Sequence, residues 1–199
     1  MKDHYLICIP DISGFTQFMS ATGIELSAEV ISSLLNKVIY SNQLNLKISE
    51  IEGDAVLFYR KGGLPEFESL VDQCKSFYTE FYKQLRFLEV KHRTNKEVEN
   101  IPEMLGLKVI MHYGKDISTV PIGKNIKLMG EDIIVAHRLL KNDIPFEEYI
   151  LFSENLLQHY KSREIKEETN WAQLKSHTEY YAHIGEVNYS FINLAPLEQ

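Results

Sequence analysis

An α+β fold, an antiparallel sheet with helices packed on it, is what the sequence predicts, and three observations predict it. Short apolar runs bounded by turn residues recur along the chain, as buried strands do. Two long segments repeat apolar side chains at three- and four-residue steps, as amphipathic helices do. The segments follow one another as β-α-α-β-β-α-β, and helices that join the first strand to the second and the third to the fourth make the ferredoxin-like arrangement, with helices on one face of the sheet.

The 199 residues predict a single domain over 1–199, with a core at about 4–140 and further αβ elements and a hairpin at about 148–195. Hydrophobic residues at 44% and charged residues at 25% are ordinary globular composition and argue against a disordered or fibrous chain. A formal charge of −7 argues against a general nucleic-acid binder, which clusters Lys and Arg against phosphates. A phosphorylated small molecule held through metal cations is compatible with that charge, because the cations invert the local field. Cys8 and Cys74 lie inside apolar patterns, the setting of buried, reduced thiols in a cytosolic protein. No run approaches the roughly 20 apolar residues of a membrane span, and Met1-Lys2-Asp3-His4 is too polar for a signal peptide. A cytoplasmic protein with no membrane partner is expected.

His4 to Ile9 is a short apolar run ended by Pro10, the profile of a central strand covered on both faces. Gly14 supplies a turn, and Phe15 to Met19 open a short helix, leaving backbone amides of Ile12 to Thr16 beside Asp11. Leu26, Val30, Ile31, Leu34, Leu35, Val38 and Ile39 predict a helix over 26–41. Leu44 to Ile51 alternates as a half-solvated strand, Gly53-Asp54 turns the chain, and Ala55 to Tyr59 returns as the second arm of a hairpin. Past Gly62-Gly63, a helix from about Pro65 to Lys91 carries an aromatic stripe that helical spacing explains as core. Arg93 to Pro102 reads as a charged connector.

Leu107 to Gly114 is the next strand, with Ile117 to Ile122 as its partner across a turn, and His112 within it reads as a satisfied core histidine. A helix over 132–140 exposes His137 and Arg138. Tyr149 to Phe152 is a buried strand, and Ser153 caps a short helix. Residues 161–175 read as a solvated surface, and Tyr180–Ile184 with Val187–Leu194 as a hairpin joined at Gly185-Glu186.

Two aspartates at strand ends of adjacent central strands, Asp11 and Asp54, suit a pair of divalent cations about 4 Å apart. Taken alone this pattern is weak, since Asp beside a Gly turn is common. Four blocks together carry more: Asp11-Ile12-Ser13-Gly14-Phe15-Thr16, the Gly53-Asp54 hairpin, Leu107 to Gly114, and Gly130 followed by Arg138. In order and spacing they resemble the class III adenylyl/guanylyl (nucleotidyl) cyclase catalytic domain, in a divergent form.

That resemblance implies a head-to-tail homodimer with the nucleotide site shared between subunits. It implies Mg2+ or Mn2+, two ions, bound by Asp11 and Asp54, and a nucleoside triphosphate cradled by the amides of Ile12, Ser13, Gly14, Phe15 and Thr16. The product would be a 3′,5′-cyclic nucleotide, released with pyrophosphate. Glu50 and Lys127 fall at the two base-selecting positions, and Glu50 leans toward guanine. Arg138 matches the arginine that steadies the developing phosphoryl charge. The chain also departs from the family. Lys127 stands where Asp, Thr or Cys is usual, Ile134 replaces the transition-state asparagine, and Ala182, His183 and Ile184 lie where a phosphate-binding lysine is sought. Three readings stay open: an active cyclase, a silent cyclase-homology module that binds nucleotide or regulates as a dimer, and an unrelated ferredoxin-like interaction domain.

Overall fold

The sheet grows outward from β1 (Tyr5–Ser13), in which Asp11 alone is not buried. The computed structural model describes residues 3–93 and 104–198, so most of the connector expected at Arg93 to Pro102 lies outside the described residues. β1 pairs antiparallel with β3 (Ala55–Lys61) on one side and β4 (Gly106–Gly114) on the other. The full order is β2 (Lys47–Glu52), β3, β1, β4, β7 (Tyr149–Ser153), β9 (Gly185–Asn193) and β8 (Lys175–Tyr181). The β4–β7 pair is parallel. Its neighbours along the sheet pair antiparallel, so the predicted α+β, mostly antiparallel architecture is the one observed.

Both faces of β1 are apolar, and both are covered. Leu6, Cys8 and Ile12 join a cluster with α2 (Ile24–Tyr40) and α3 (Phe67–Lys91). Tyr5, Ile7 and Ile9 join a second cluster on the opposite face with α4 (Glu131–Leu139) and Leu128 of β6 (Asn125–Met129). Helices therefore lie on two faces rather than the one that the element order suggested; a strand apolar on both sides needs two covers. The aromatic stripe of α3 is core as expected, with Phe77 stacked on Phe58 and Phe67 against Phe152.

Several boundaries moved. Pro10 does not end β1: the ladder to β4 runs through Pro10↔Val109, and the ladder to β3 skips Ile9 and Pro10 before resuming at Asp11↔Ala55. A residue without an N–H is tolerated in a central strand where one ladder is interrupted. The partner expected for β4 pairs elsewhere: β5 (Ser118–Ile122) forms a separate ribbon with β6, because both edges of β4 are taken by β1 and β7. β2 starts only at Lys47, and a register shift between Ile48 and Glu50 breaks its alternation, leaving Ile48 and Ile51 exposed on an edge strand. The terminal hairpin begins at Lys175 and turns at 182–184. Within 161–175 a short helix, α6 (Ser162–Glu168), follows the four-residue α5 (Glu154–Leu157), and Ile165, Trp171 and Leu174 pack against the core. That segment is thus less solvated than its charge runs suggest. Among the described residues, no helix is long and apolar enough to cross a membrane.

One buried polar network fixes α4 to the sheet. His112 of β4 is fully buried, with Nδ1 2.9 Å from Ser153 Oγ and Nε2 3.0 Å from Asp132 Oδ1. Asp132 Oδ2 accepts the backbone N–H groups of Lys115 and Asp116, each at 2.9 Å. Burial pushes the Asp132 carboxyl up, but the His112 hydrogen bond and the two amides outweigh it and hold the group below the usual carboxylate range. Ser153 Oγ also caps α5 by accepting the Leu156 N–H. His112 is the satisfied core histidine expected. Replacing it by Ala strands two buried partners, so His112→Ala is expected to lose about 1–3 kcal/mol of unfolding free energy in urea titration. A loss below about 0.5 kcal/mol would show that the network does not hold α4.

Candidate functional site

At the end of β1 the chain must turn sharply beside Asp11. Gly14 adopts φ +78°, and a Cβ there would fall 1.7 Å from the Met104 carbonyl oxygen, so only glycine fits. The turn starts α1 (Phe15–Ala21), whose first amides have no side-chain cap. On the adjacent hairpin, Gly53 at φ +58° turns β2 into β3 and places Asp54 before Ala55, the residue paired with Asp11. The Ile12 N–H donates to the Asp54 carbonyl at 3.0 Å, tying the hairpin turn to the strand end.

Both aspartates line one cleft of about 720 Å3. Ile12 to Thr16, Glu50, Lys108, His137, Lys141 and Glu147 complete much of its wall. The Asp11 side chain is 14% exposed, and Lys108 Nζ lies 3.6 Å from its Oδ1. Burial pushes the Asp11 carboxyl up to about 6; Lys108 opposes that rise, and the neighbouring Asp54 charge adds to it. Burial also raises Asp54, against a lowering by its own backbone hydrogen bond and by Lys108. Two carboxylates thus share a partly desolvated space with the Lys108 ammonium, and Lys141 stands elsewhere in the same wall.

The other candidates divide. Glu50 lines the cleft, with one oxygen bonded to Lys127 Nζ and the other 3.7 Å from His137 Nε2. That bond to Glu50 raises the Lys127 ammonium pKa. Lys127 itself is not part of the cleft wall, and neither is Arg138, which is exposed on α4 and makes no ion pair among the described residues. Of the amides expected to form a cradle, that of Ile12 donates to the Asp54 carbonyl, while Ser13 to Thr16 line the cleft toward the opening of α1. The Ser13 hydroxyl donates to the Glu147 carbonyl at 2.5 Å. None of Ala182, His183 and Ile184 lines the cleft.

Sequence reasoning missed Lys108 and His137. Lys108 had a signal: it is the one charged residue between Leu107 and Met111 in an apolar strand. Its position opposite Asp11 is visible only once the β1–β4 register is known.

The donor set fits a hard divalent cation such as Mg2+ or Mn2+, which takes carboxylate oxygens. Among the described residues no group of three or more His, Cys, Asp or Glu side chains could hold a metal ion. Such an ion would need further oxygens from water or from phosphates, which is how Mg2+ is commonly bound.

Residues 31–149 match the model of a family described as protein of unknown function, DUF2652. The chain belongs to the DUF2652 family. The matched span includes Glu50, Asp54, Lys127 and Arg138, and starts after Asp11. This DUF2652 chain is 26% identical over 128 residues to the uncharacterized protein Rv2561/Rv2562 of Mycobacterium tuberculosis, covering 64% of its own length and 59% of that protein. It therefore spans less than two thirds of that relative.

Among solved structures, the guanylyl cyclase Cya2 matches with a TM-score of 0.67 at 16% identity, over 95% of this chain and 91% of that one. The guanylate cyclase domain of RhGC from Catenaria anguillulae, solved in complex with GTP, matches with a TM-score of 0.67 at 14% identity, over 96% and 97%. The adenylyl cyclase CyaB from P. aeruginosa matches with a TM-score of 0.61 at 14% identity, over 96% and 93%. At these identities the likeness shows the fold, that of class III cyclase catalytic domains, and the DUF2652 chain has it.

The raised Asp11 carboxyl makes a prediction about stability. Its folded pKa of about 6 lies above the ordinary 3.8, so between those values the native state keeps a proton that the unfolded chain has lost. Stability from this group therefore falls as pH rises through that window. Asp11→Asn is expected to gain about 1–3 kcal/mol on the wild type between about pH 4 and about pH 7.5, read from urea denaturation. A difference that does not change with pH would show a fully solvated carboxylate.

Proposed function

We propose that the protein binds a divalent metal–nucleoside triphosphate in the Asp11–Asp54 cleft, and that residues 1–199 form one cyclase-type module. The observation that carries this reading is the pair of half-buried carboxylates, brought from two strands to one cleft beside the uncapped opening of α1. A carboxylate held at raised pKa is costly unless a cation uses it. GTP is the first nucleotide to test, because the resemblance makes Glu50 a guanine-reading position.

In the proposed reaction a second copy, paired head to tail, brings its Arg138 to the triphosphate, and a ribose hydroxyl attacks the α-phosphate with loss of pyrophosphate. Arg138 supports this arrangement: it is exposed, lies outside the wall of its own cleft, and makes no ion pair among the described residues. Ile134 favours a second reading, a nucleotide-binding module without turnover. It is 53% exposed where the resemblance calls for a donor, and losing one preorganised donor typically costs about 100- to 1000-fold in rate.

Calorimetry with Mn2+ and each of ATP, GTP, CTP and UTP tests the binding claim. Wild-type protein is expected to bind at least one, and Asp54→Asn to weaken that binding by about tenfold or more. Equal binding by the variant, or no binding of any nucleotide, would overturn the reading. Pyrophosphate release separates the two versions: Ile134→Asn is expected to raise turnover by about 100-fold or more if the remaining machinery works. No release from wild type or Ile134→Asn leaves the silent module.

The second copy also accounts for exposed apolar side chains on both faces of the β5–β6 ribbon and on α4. Ile122, Ile126 and Met129 of the β5–β6 ribbon and Ile134 of α4 are each at least half exposed. Exposed apolar groups gathered on neighbouring elements mark interaction surfaces. Sedimentation is expected to give a dimer mass for the wild type and a shift toward monomer for Ile126→Asp combined with Met129→Asp. A monomeric wild type would remove the homodimer from the proposal.

A further inference from the structure

The charge that faces the two cleft aspartates from inside the protein is Lys108. It lies directly across the β1–β4 ladder from Asp11, in the register Asp11↔Lys108. β4 is an interior strand held by β1 and β7, so the Lys108 backbone cannot retreat. Its side chain is 21% exposed and its ammonium stands 3.6 Å from Asp11 Oδ1. The same ammonium bears electrostatically on Asp54. Partly buried charges of this kind are screened by salt much less than surface pairs.

We infer that Lys108 is an internal counter-cation that keeps a free divalent ion off the Asp11–Asp54 pair and admits the metal only as an anionic metal–nucleotide complex. The inference rests on the proposed nucleotide-binding reading and adds an order of events to it. A bare dication approaching the carboxylates meets a fixed positive charge within a few ångströms, in a space where water is partly excluded. The same dication already carried by a triphosphate arrives with net negative charge, and the ammonium then attracts the complex. Lys108 thereby changes from obstacle to partner according to what the metal carries. The 3.6 Å separation, longer than a tight charge-assisted bond, leaves the pair open to rearrangement when the complex arrives.

Electron paramagnetic resonance of free Mn2+ tests this on the full chain, with the binding that persists in Asp54→Asn subtracted as background. Wild type is expected to bind Mn2+ weakly alone and more tightly with GTP. Lys108→Met, which keeps the stem and removes the charge, is expected to bind Mn2+ alone about tenfold or more tighter than wild type, and to lose most of the gain from GTP. Lys108→Arg, which keeps the charge, is expected to match wild type with Mn2+ alone and guards against a folding defect in the Met variant. Binding of Mn2+ alone by Lys108→Met that is no tighter than wild type, while Mn2+ with GTP still binds the wild type, would overturn the counter-cation role and leave the nucleotide reading standing. No Mn2+ binding by any variant, with or without GTP, would overturn both.

Discussion

The placement of one carboxylate governs much of this structure: Asp11 at the end of the central strand, flanked by two neighbouring strands and only 14% exposed. A charge cannot be left there uncompensated, because desolvation of an isolated carboxylate is expensive. The surrounding elements answer that demand. β4 presents Lys108 from the opposite side of the ladder, and Gly14 carries the chain away at a positive φ that other residues resist. The turn that holds Asp54 is tied to β1 through the Ile12 amide. Compensation is incomplete: burial, with a smaller addition from the neighbouring Asp54 charge, pushes the Asp11 carboxyl up to about 6 against the pull of Lys108. Folding alone would favour an asparagine. On the proposed reading, the stability lost by keeping two acids here is offset when a metal–nucleotide binds.

Farther along the same face of the sheet, a different buried group sets the arrangement. His112 joins β4, the cap of α5 and the start of α4 through Ser153 and Asp132, so the direction of α4 is set by a satisfied network. Ile133, Ala136 and Leu139 then turn inward, which forces Ile134 and Arg138 outward. Asp11 and Asp54 line one cleft and Arg138 stands outside its wall, so a single copy does not bring the three together.

Local periodicity was enough to read α2, α3, β1 and β4, because each buries a stripe or a whole strand whose pattern survives tertiary context. The positions at strand ends and turns brought Asp11 and Asp54 to attention, and the family resemblance brought Glu50. What periodicity could not supply was the side of a strand on which a hydrogen bond is missing, hence the misplaced stop at Pro10. Nor could it say whether β4 had a free edge, hence the wrong partner for Ile117 to Ile122. Lys108 was invisible for the same reason: its meaning comes from pairing with a residue almost a hundred positions away, a register set by two apolar faces. The run at 161–175 misled because Ile165, Trp171 and Leu174 are spaced too irregularly among charges to announce a buried side.

Glu50 and Lys127 bear on which nucleotide the proposed site would prefer. In the free protein each satisfies the other, and His137 stands near the second Glu50 oxygen, so the carboxylate is held between two nitrogen groups. A base that entered this space would have to replace those contacts with others of the same kind, or leave a half-buried carboxylate without partners. The edge of guanine offers two adjacent N–H donors and one carbonyl acceptor. On the proposed reading, Glu50 accepts the donors and Lys127 turns to the carbonyl, so both charged groups stay satisfied. Adenine offers an amino group and a ring nitrogen, which leaves one Glu50 oxygen to be satisfied by His137 or water. Lys127 does not separate the two bases, since its ammonium finds an acceptor on either, O6 of guanine or N1 of adenine; on the proposed reading the lean toward guanine rests on Glu50.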